Sequence, residues 1–285
     1  MSVEPSATAS SGIDRGSGSP LRQAGWFVGL SLSLVIAGVV LAPVVGPALP
    51  FLLALGPGVI AIVLAWREGS LRRLLGSVTR RPTRARSYLV LLVPFLGSLV
   101  VVPVAMLLGI ATTGPFGSLT PTAVILPLVV FLPALAEELG WRGYALPRVM
   151  TRTSPLVASL VLAVPWAAMH LALYLPDQMY AGQQVWPSIV TVFSLSVLGT
   201  WVYLGTGGSV LMTTLFHAGY NAATPLTWAV DADAAWAIRP VIFAVTAVAV
   251  VLLGGLRSPD GTRVARSGHA RQATMMARQT EAQDG

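Results

Sequence analysis

Residues 122–142 read TAVILPLVVFLPALAEELGWR, an apolar run without charge that ends in two adjacent glutamates, Glu137 and Glu138, followed by Arg142. A run of this length and polarity is long enough to cross a bilayer as a helix. Because an ionised side chain at membrane depth is costly, its presence there usually marks a functional site. This stretch therefore predicts a helical membrane fold, and it also indicates where in that fold chemistry takes place.

The composition of the whole chain agrees with a membrane location. Of the 285 residues, 54% are hydrophobic and 10% are charged, and the mean hydropathy is +0.74. These values are typical of a polytopic membrane protein. All 18 basic residues are arginines, and in such a protein a net charge of +7 sets the topology and does not indicate nucleic-acid binding. The absence of cysteine excludes disulfides, thiolate metal sites and cysteine nucleophiles.

Hydropathy and the positions of proline and glycine predict an all-α bundle of about eight transmembrane helices within residues 24–256. Residues 1–23, rich in Ser, Gly and Pro, and the basic residues 257–285 are predicted to be disordered cytosolic tails. The eight predicted spans, in chain order, are residues 26–45, a second span that ends at residue 66, and then 88–108, 122–150, 154–173, 187–204, 209–230 and 235–256.

A basic block separates the second and third predicted spans. Seven arginines lie within residues 67–86. Apolar residues among them follow a helical stripe, which predicts a short helix on the membrane surface. The stripe consists of Leu71, Leu74, Leu75 and Val78. If this block is cytosolic, eight spans place both termini in the cytosol and leave only Arg239 outside, whereas an odd number would put basic clusters on both sides.

The spacing of the charged residues in the fourth span predicts how they pair. Glu138 and Arg142 are four residues apart, so they meet on one face of a helix. Glu137 points about 100° away from that face, and we expect it to face the bundle interior unpaired. A helix ending at Arg142 would leave Glu137 too shallow to meet His170, so we expect the helix to continue to about Met150.

Two other predicted spans each carry one histidine. His170 follows Trp166 by one helical turn, and His217 precedes Asn221 by one turn. By helical rise, these groups and Glu137 can share one layer of the membrane. A carboxylate and an imidazole can activate a water directly or through a divalent metal. An amide and a second imidazole can donate hydrogen bonds to the oxyanion formed when that water attacks a carbonyl. The set suffices for peptide hydrolysis.

Other functions use similar groups. Intramembrane Glu and His chains relay protons in proton-coupled transporters, although no paired repeat halves are evident here. In a non-catalytic immunity or scaffold protein, the same groups would merely hold helices together. The sequence contains no His-Glu-x-x-His motif, no Gly-x-Ser-Gly setting within a span and no Asp within a span, which excludes site-2-type, rhomboid-type and presenilin-like proteolysis.

Three motifs in order resemble the CPBP (Abi) family of intramembrane proteases, which includes the type II CAAX prenyl endopeptidases. The resemblance covers roughly residues 122–225, and the family usually has Phe at the position of Trp166. In this comparison Arg142 and Trp166 orient the site. The motifs are Glu137-Glu138-x-x-x-Arg142, Trp166-x-x-x-His170 and His217-x-x-x-Asn221.

The resemblance implies an eight-helix bundle with the site in a membrane cavity. It implies that Glu137, alone or with Glu138, activates water together with His170. It also implies that His217 and Asn221 stabilise the oxyanion or join a metal site. Glu137, His170 and His217 are candidate ligands of a zinc-like divalent metal, and a glutamate-only mechanism uses the same residues, so both remain open. The expected substrate is a membrane-associated peptide or protein, and the lysine-free, Ala-, Val- and Arg-rich composition indicates a bacterial cell membrane.

Overall fold

A computed structural model describes residues 19–46, 49–114 and 121–256, and this part of the chain is a bundle of helices. Within these ranges the only β-type pairing is an isolated bridge between Thr112 and Val230. The predicted all-α fold is confirmed. The helices are α1 (Pro20–Val45), α2 (Leu49–Arg67), α3 (Leu71–Thr79), α4 (Val93–Leu99), α5 (Val101–Leu107), α6 (Pro121–Glu138), α7 (Leu146–Val149), α8 (Pro155–His170), α9 (Trp186–Gly205), α10 (Val210–Ala222) and α11 (Ala232–Leu252).

Six helical segments in the described ranges are long and apolar enough to cross a membrane. The second and seventh predicted spans correspond to shorter apolar helices, the Leu53–Arg67 part of α2 and the 13-residue α10. The chain is therefore an integral membrane protein, while the count of eight crossings stays a prediction. The six are Pro20–Leu41, Ala85–Leu107, Ala123–Val149, Pro155–Tyr174, Trp186–Gly205 and Ala232–Leu252.

The two tails predicted to be disordered lie mostly outside the described residues. Residues 1–18 and 257–285 are not among those that the structure describes. Helix α1 begins at Pro20, so its first turn extends into the segment predicted as a tail. Proline is favoured at the start of a helix, because the N–H group that it lacks would have no helical partner there.

The fourth span runs as one helical segment from α6 through α7. Between them, residues Leu139–Ala145 form a π-helix, and the helical run ends at Val149, next to the end predicted at Met150. A π-helix has a wider turn than an α-helix, and it changes the direction in which the following side chains point. The sequence predicted the length of this segment but not the π geometry.

Helix α10 is shorter than the predicted span over residues 209–230. It ends at Ala222, and a 3-10 turn over Thr224–Thr227 follows. Pro225 lies in that turn, and proline both lacks an N–H donor and disfavours helical geometry in the residue before it. The carboxyl end of α10 consequently lies inside the bundle, where its carbonyl groups require partners.

Helix α3 packs its apolar stripe against the bundle. Leu74 is buried, and Leu71 and Val78 pack against the core, while Leu75 remains exposed. The predicted short helix is present, and three of its four apolar residues contact protein, while its position on the membrane surface stays a prediction. The arginines of α3 lie on the opposite, exposed face.

A polar network joins three helices at the same end of the bundle. Arg148 donates a hydrogen bond from Nη2 to Glu68 Oε2 at 2.7 Å and another from Nε to Gln23 Oε1 at 3.0 Å. The hydroxyl of Tyr144 donates to Glu68 Oε1 at 2.5 Å. Glu68 is thereby fully engaged within the protein, and α1, α2 and the fourth span are linked.

Helices α2 and α6 lie in close contact just before the two glutamates. A Cβ atom at Gly58 would lie 2.8 Å from the Cα atom of Ala136 and 2.9 Å from its carbonyl oxygen. Gly140 lies equally close to Pro57, whose carbonyl oxygen would be 2.8 Å from an added Cβ. The absence of side chains at Gly58 and Gly140 therefore sets how near the Glu137–Glu138 segment can approach α2.

We expect Gly58→Ala to lower the free energy of unfolding by about 1–3 kcal/mol, because the added methyl group meets backbone that cannot move aside. Thermal unfolding of the purified protein in detergent measures the change. Gly76→Ala on α3 is the matched control, since no atom lies within 4 Å of its added Cβ. Equal midpoints for Gly58→Ala and the unsubstituted protein would contradict the prediction.

Candidate active site

Glu138 and Arg142 form a buried ion pair. The Nη1 atom of Arg142 donates to Glu138 Oε1 at 2.9 Å, as the four-residue spacing predicts. Glu138 is 1% exposed and Arg142 is 2% exposed. Buried charges persist when they are paired and their remaining donors are bonded. Arg142 meets this condition, because its Nη2 atom donates to the backbone carbonyl of Leu195 in α9 at 3.0 Å.

Gly199 makes room for the Arg142 guanidinium. A Cβ atom at Gly199 would lie 2.9 Å from Nη2, 3.0 Å from Nε and 3.1 Å from Cζ of Arg142. The other side of the guanidinium lies against the Trp166 ring, with Cζ 4.5 Å from the ring centroid. The guanidinium is thus held between α9 and an aromatic ring, an arrangement that favours a desolvated cation.

Trp166 contacts side chains from three helical segments. Its Nε1 atom donates to Glu137 Oε2 at 2.8 Å. Its ring centroid lies 6.0 Å from that of His170 on the same helix and 5.6 Å from that of His217 on α10, both in edge-on geometry. Trp166 therefore joins predicted site residues into one group. We call this group the Trp166 cluster, defined as Glu137, Glu138, Arg142, Trp166, His170 and His217.

Glu137 differs from its predicted state in one respect. It was expected to be unpaired, but Trp166 holds one of its carboxylate oxygens. Among the described residues, no donor is bonded to the other oxygen, Oε1, and the side chain is half-buried. The carboxylate is thus oriented by one bond and retains one oxygen for a water or a substrate.

Hydrogen bonds assign the same neutral tautomer to both histidines. His170 Nδ1 lies 2.9 Å from the carbonyl oxygen of Trp166, which can only accept, so Nδ1 carries the hydrogen. His217 Nδ1 lies 3.0 Å from Glu138 Oε1, the oxygen that also accepts from Arg142. An ionised carboxylate likewise only accepts. Each neutral ring therefore has a lone pair on Nε2, and His217 can donate from Nε2 only as an imidazolium.

Asn221 lies one turn beyond His217 on α10 and is half-buried. Its backbone carbonyl accepts a hydrogen bond from the Thr224 hydroxyl at 2.8 Å. This hydrogen bond involves only the backbone of Asn221, and no contact between its side-chain amide and the Trp166 cluster is formed in the described residues. A role for Asn221 as an oxyanion donor stays a prediction.

Arg239 holds the end of α10 and was given no site role from the sequence. It donates to the backbone carbonyl of Tyr220, to the Thr224 hydroxyl at 3.0 Å and to the Ser98 hydroxyl at 3.1 Å. Its guanidinium lies 3.9 Å from the Tyr220 ring centroid. A cation at a helix carboxyl end is favourable. The sequence feature that could have indicated this role is the position of Arg239 within an otherwise apolar run.

The carboxylates and imidazoles of the Trp166 cluster are the residue types that bind divalent metals. Within residues 19–46, 49–114 and 121–256, no three His, Asp or Glu side chains are grouped so that they could hold a metal ion. The candidate set Glu137, His170 and His217 is not such a group in this arrangement, and its role as a metal site stays a prediction. The reaction proposed below routes no step through a metal.

Two comparisons with known proteins bear on this arrangement. Residues 119–223, which include the whole Trp166 cluster, match the family model described as type II CAAX prenyl endopeptidase, Rce1-like. The chain is also similar to CAAX prenyl protease 2 of Methanococcus maripaludis, with 26% identity over 168 residues. That alignment covers 52% of this chain and 62% of the relative, so it spans less than two thirds of the relative's length. Over the matched segment, which carries the three motifs, the chain is thus similar to type II CAAX prenyl endopeptidases.

Proposed function

We propose that this protein is an intramembrane endopeptidase that hydrolyses a peptide bond of a membrane-associated peptide or protein. The observation that carries the proposal is the hydrogen bond from Trp166 to Glu137, which orients a half-buried carboxylate on the same indole ring that His170 contacts. A carboxylate with one fixed and one available oxygen is suited to act as a general base. The name of the archaeal relative, a CAAX prenyl protease, supports a lipid-tethered substrate.

In the proposed reaction, Glu137 takes a proton from a water that is also held by His170 Nε2. The water oxygen bonds to the carbonyl carbon of the substrate. The resulting oxyanion accepts hydrogen bonds from the Asn221 amide and from His217 when its Nε2 atom carries a proton. As the C–N bond breaks, Glu137 passes the proton to the leaving nitrogen, and the products are a carboxylic acid and an amine.

The buried members of the cluster position the others. Glu138 accepts hydrogen bonds from both Arg142 and His217 at one oxygen. The bond from His217 Nδ1 to Glu138 orients the imidazole ring, so that its Nε2 atom points away from Glu138. Arg142 in turn fixes Glu138 and connects it to α9. This division of roles supports Glu137 as the reacting carboxylate and Glu138 as its buried counterpart.

We expect Glu137→Gln to lower turnover by about 10²–10⁴-fold, the usual loss when a general base is removed. Glutamine keeps an oxygen that can accept from Trp166, so the fold should persist. Purified protein in vesicles would be assayed for cleavage of a prenylated CAAX peptide and of the same peptide carrying an acyl chain. His170→Ala and His217→Ala should also abolish cleavage.

Asp233→Asn is the matched control for Glu137→Gln, because it makes the same acid-to-amide change at an exposed position. It should cleave like the unsubstituted protein. Wild-type turnover in Glu137→Gln would contradict the proposal. Loss of solute uptake without any peptide cleavage would favour a transporter, and unimpaired biological activity of the variant would favour a scaffold.

We expect Gly199→Ala to reduce turnover by roughly ten- to a hundredfold. The added methyl group displaces the Arg142 guanidinium, and a hydrogen bond to a charged group contributes about 1.5–3 kcal/mol. The melting temperature should fall as well, because the displaced guanidinium is buried and loses partners. Gly205→Ala in the same helix is the control, because nothing lies within 4 Å of its added Cβ. Equal turnover in the two variants would contradict a positioning role for Arg142.

We expect turnover to be unchanged after dialysis against EDTA, because the described donors do not form a three-ligand group. Peptide cleavage before and after dialysis, with metal content measured by mass spectrometry, checks this expectation. Loss of cleavage that Zn²⁺ restores would show instead that Glu137, His170 and His217 rearrange to bind a metal.

A further inference from the structure

The segment that links α2 to the third span carries an exposed positive surface. We call residues 67–86 the basic segment. All seven of its arginines are exposed. Its one acidic residue, Glu68, bonds to Arg148 and Tyr144 and does not compensate them. The arginines are Arg67, Arg72, Arg73, Arg80, Arg81, Arg84 and Arg86.

The packing of α3 fixes the direction in which this surface faces. Leu74 is 5% exposed and is held in the core, which turns Arg72 and Arg73 outward. The basic segment begins where α2 ends and continues to the start of the apolar span Ala85–Leu107. Its guanidinium groups are thereby confined to the boundary between membrane and water, the level of lipid headgroups.

The positive charge of this surface is complementary to the phosphate groups of lipid headgroups. Guanidinium groups bind phosphate with two parallel hydrogen bonds, and this geometry matches a lipid phosphodiester. Arginines held near an anionic membrane surface each add to the attraction. Within the described basic segment, Arg80 donates a hydrogen bond from Nη1 to the Gly207 carbonyl at 2.8 Å. This is the arginine side-chain hydrogen bond that the segment forms with the rest of the described protein.

The basic segment is also attached to two of the three helical segments that carry the Trp166 cluster. Leu74 Cδ1 would lie 2.9 Å from a Cβ atom at Gly143, the residue that follows Arg142. Ser209 donates from its hydroxyl to the Arg80 carbonyl at 2.5 Å and accepts from the Met212 N–H at the start of α10. A shift of the basic segment therefore moves the π-helix and α10 together.

We propose that anionic lipid headgroups bind the basic segment, and that this binding holds the π-helix and α10 in the arrangement that the site requires. The regulatory half of this proposal rests on the proposed peptidase function. The binding half does not, because it follows from the exposed guanidinium groups alone. Peptide cleavage should consequently be faster in membranes that contain phosphatidylglycerol than in pure phosphatidylcholine.

The test uses the full chain in nanodiscs of phosphatidylcholine with and without phosphatidylglycerol, and it has two readouts. Native mass spectrometry measures the preference for phosphatidylglycerol, and the prenylated peptide assay measures turnover. Arg72→Gln combined with Arg73→Gln should weaken the preference by roughly thirtyfold if each guanidinium contributes its usual share. It should also remove most of the activation by phosphatidylglycerol.

Arg22→Gln combined with Arg152→Gln is the matched control, since it removes the same charge from exposed arginines outside the basic segment. It should keep both the preference and the activation. An equal loss in the control, or no loss in the α3 variant, overturns the proposal. So does a preference that inorganic phosphate removes at constant ionic strength, because the surface would then bind a free anion.

The two readouts separate failure of this inference from failure of the proposed function. If phosphatidylglycerol binds selectively but no peptide is cleaved in either lipid, the peptidase proposal fails and the lipid surface stands. If peptide is cleaved at equal rates in both lipids despite selective binding, the regulatory coupling is overturned and the peptidase proposal stands.

Discussion

Burial of the Glu138–Arg142 ion pair constrains the rest of the structure. Removing two charges from water is expensive, and further partners offset part of this cost, while Glu138 Oε2 is buried without a hydrogen-bond partner among the described residues. Arg142 therefore needs the Leu195 carbonyl, the space at Gly199 and the Trp166 ring, while Glu138 also accepts from His217. These contacts involve the fourth span, α8, α9 and α10, so satisfying one pair of charges determines how four helical segments approach one another.

The same requirement distributes the roles of the two glutamates. Glu138 is committed to its partners and is almost inaccessible, whereas Glu137, one residue earlier, is half-buried and keeps one oxygen available. Trp166 connects the two environments, because its ring covers Arg142 while its N–H group bonds to Glu137. A phenylalanine at this position would still offer a ring face to the cation but lacks the donor. In this chain the orientation of Glu137 therefore depends on an indole nitrogen.

Local spacing predicted the parts of the site that depend on a single helix. The Glu138–Arg142 contact and the continuation of the helix to about Met150 follow from helical periodicity and rise. Contacts between different helices could not be predicted in this way. Three such contacts join positions far apart in the chain, and no periodic pattern predicts them. They are the hydrogen bond from Trp166 to Glu137, the close approach of Gly199 to Arg142 and the hydrogen bond from Arg239 to the Tyr220 carbonyl. The π-helix was not predicted either, because the residues over Leu139–Ala145 are compatible with an ordinary α-helix.

The end of α10 is held by a residue that lies outside the segment matched by the family model. The family match ends at residue 223, immediately after α10, yet the carbonyl at the end of that helix is satisfied by Arg239 from α11. Excised at the limits of the match, the motif-bearing helices would leave that carbonyl facing hydrocarbon without a donor. The packing of this helix end thus depends on a residue outside the family match, and a shortened version of the protein keeps this contact only if it retains α11.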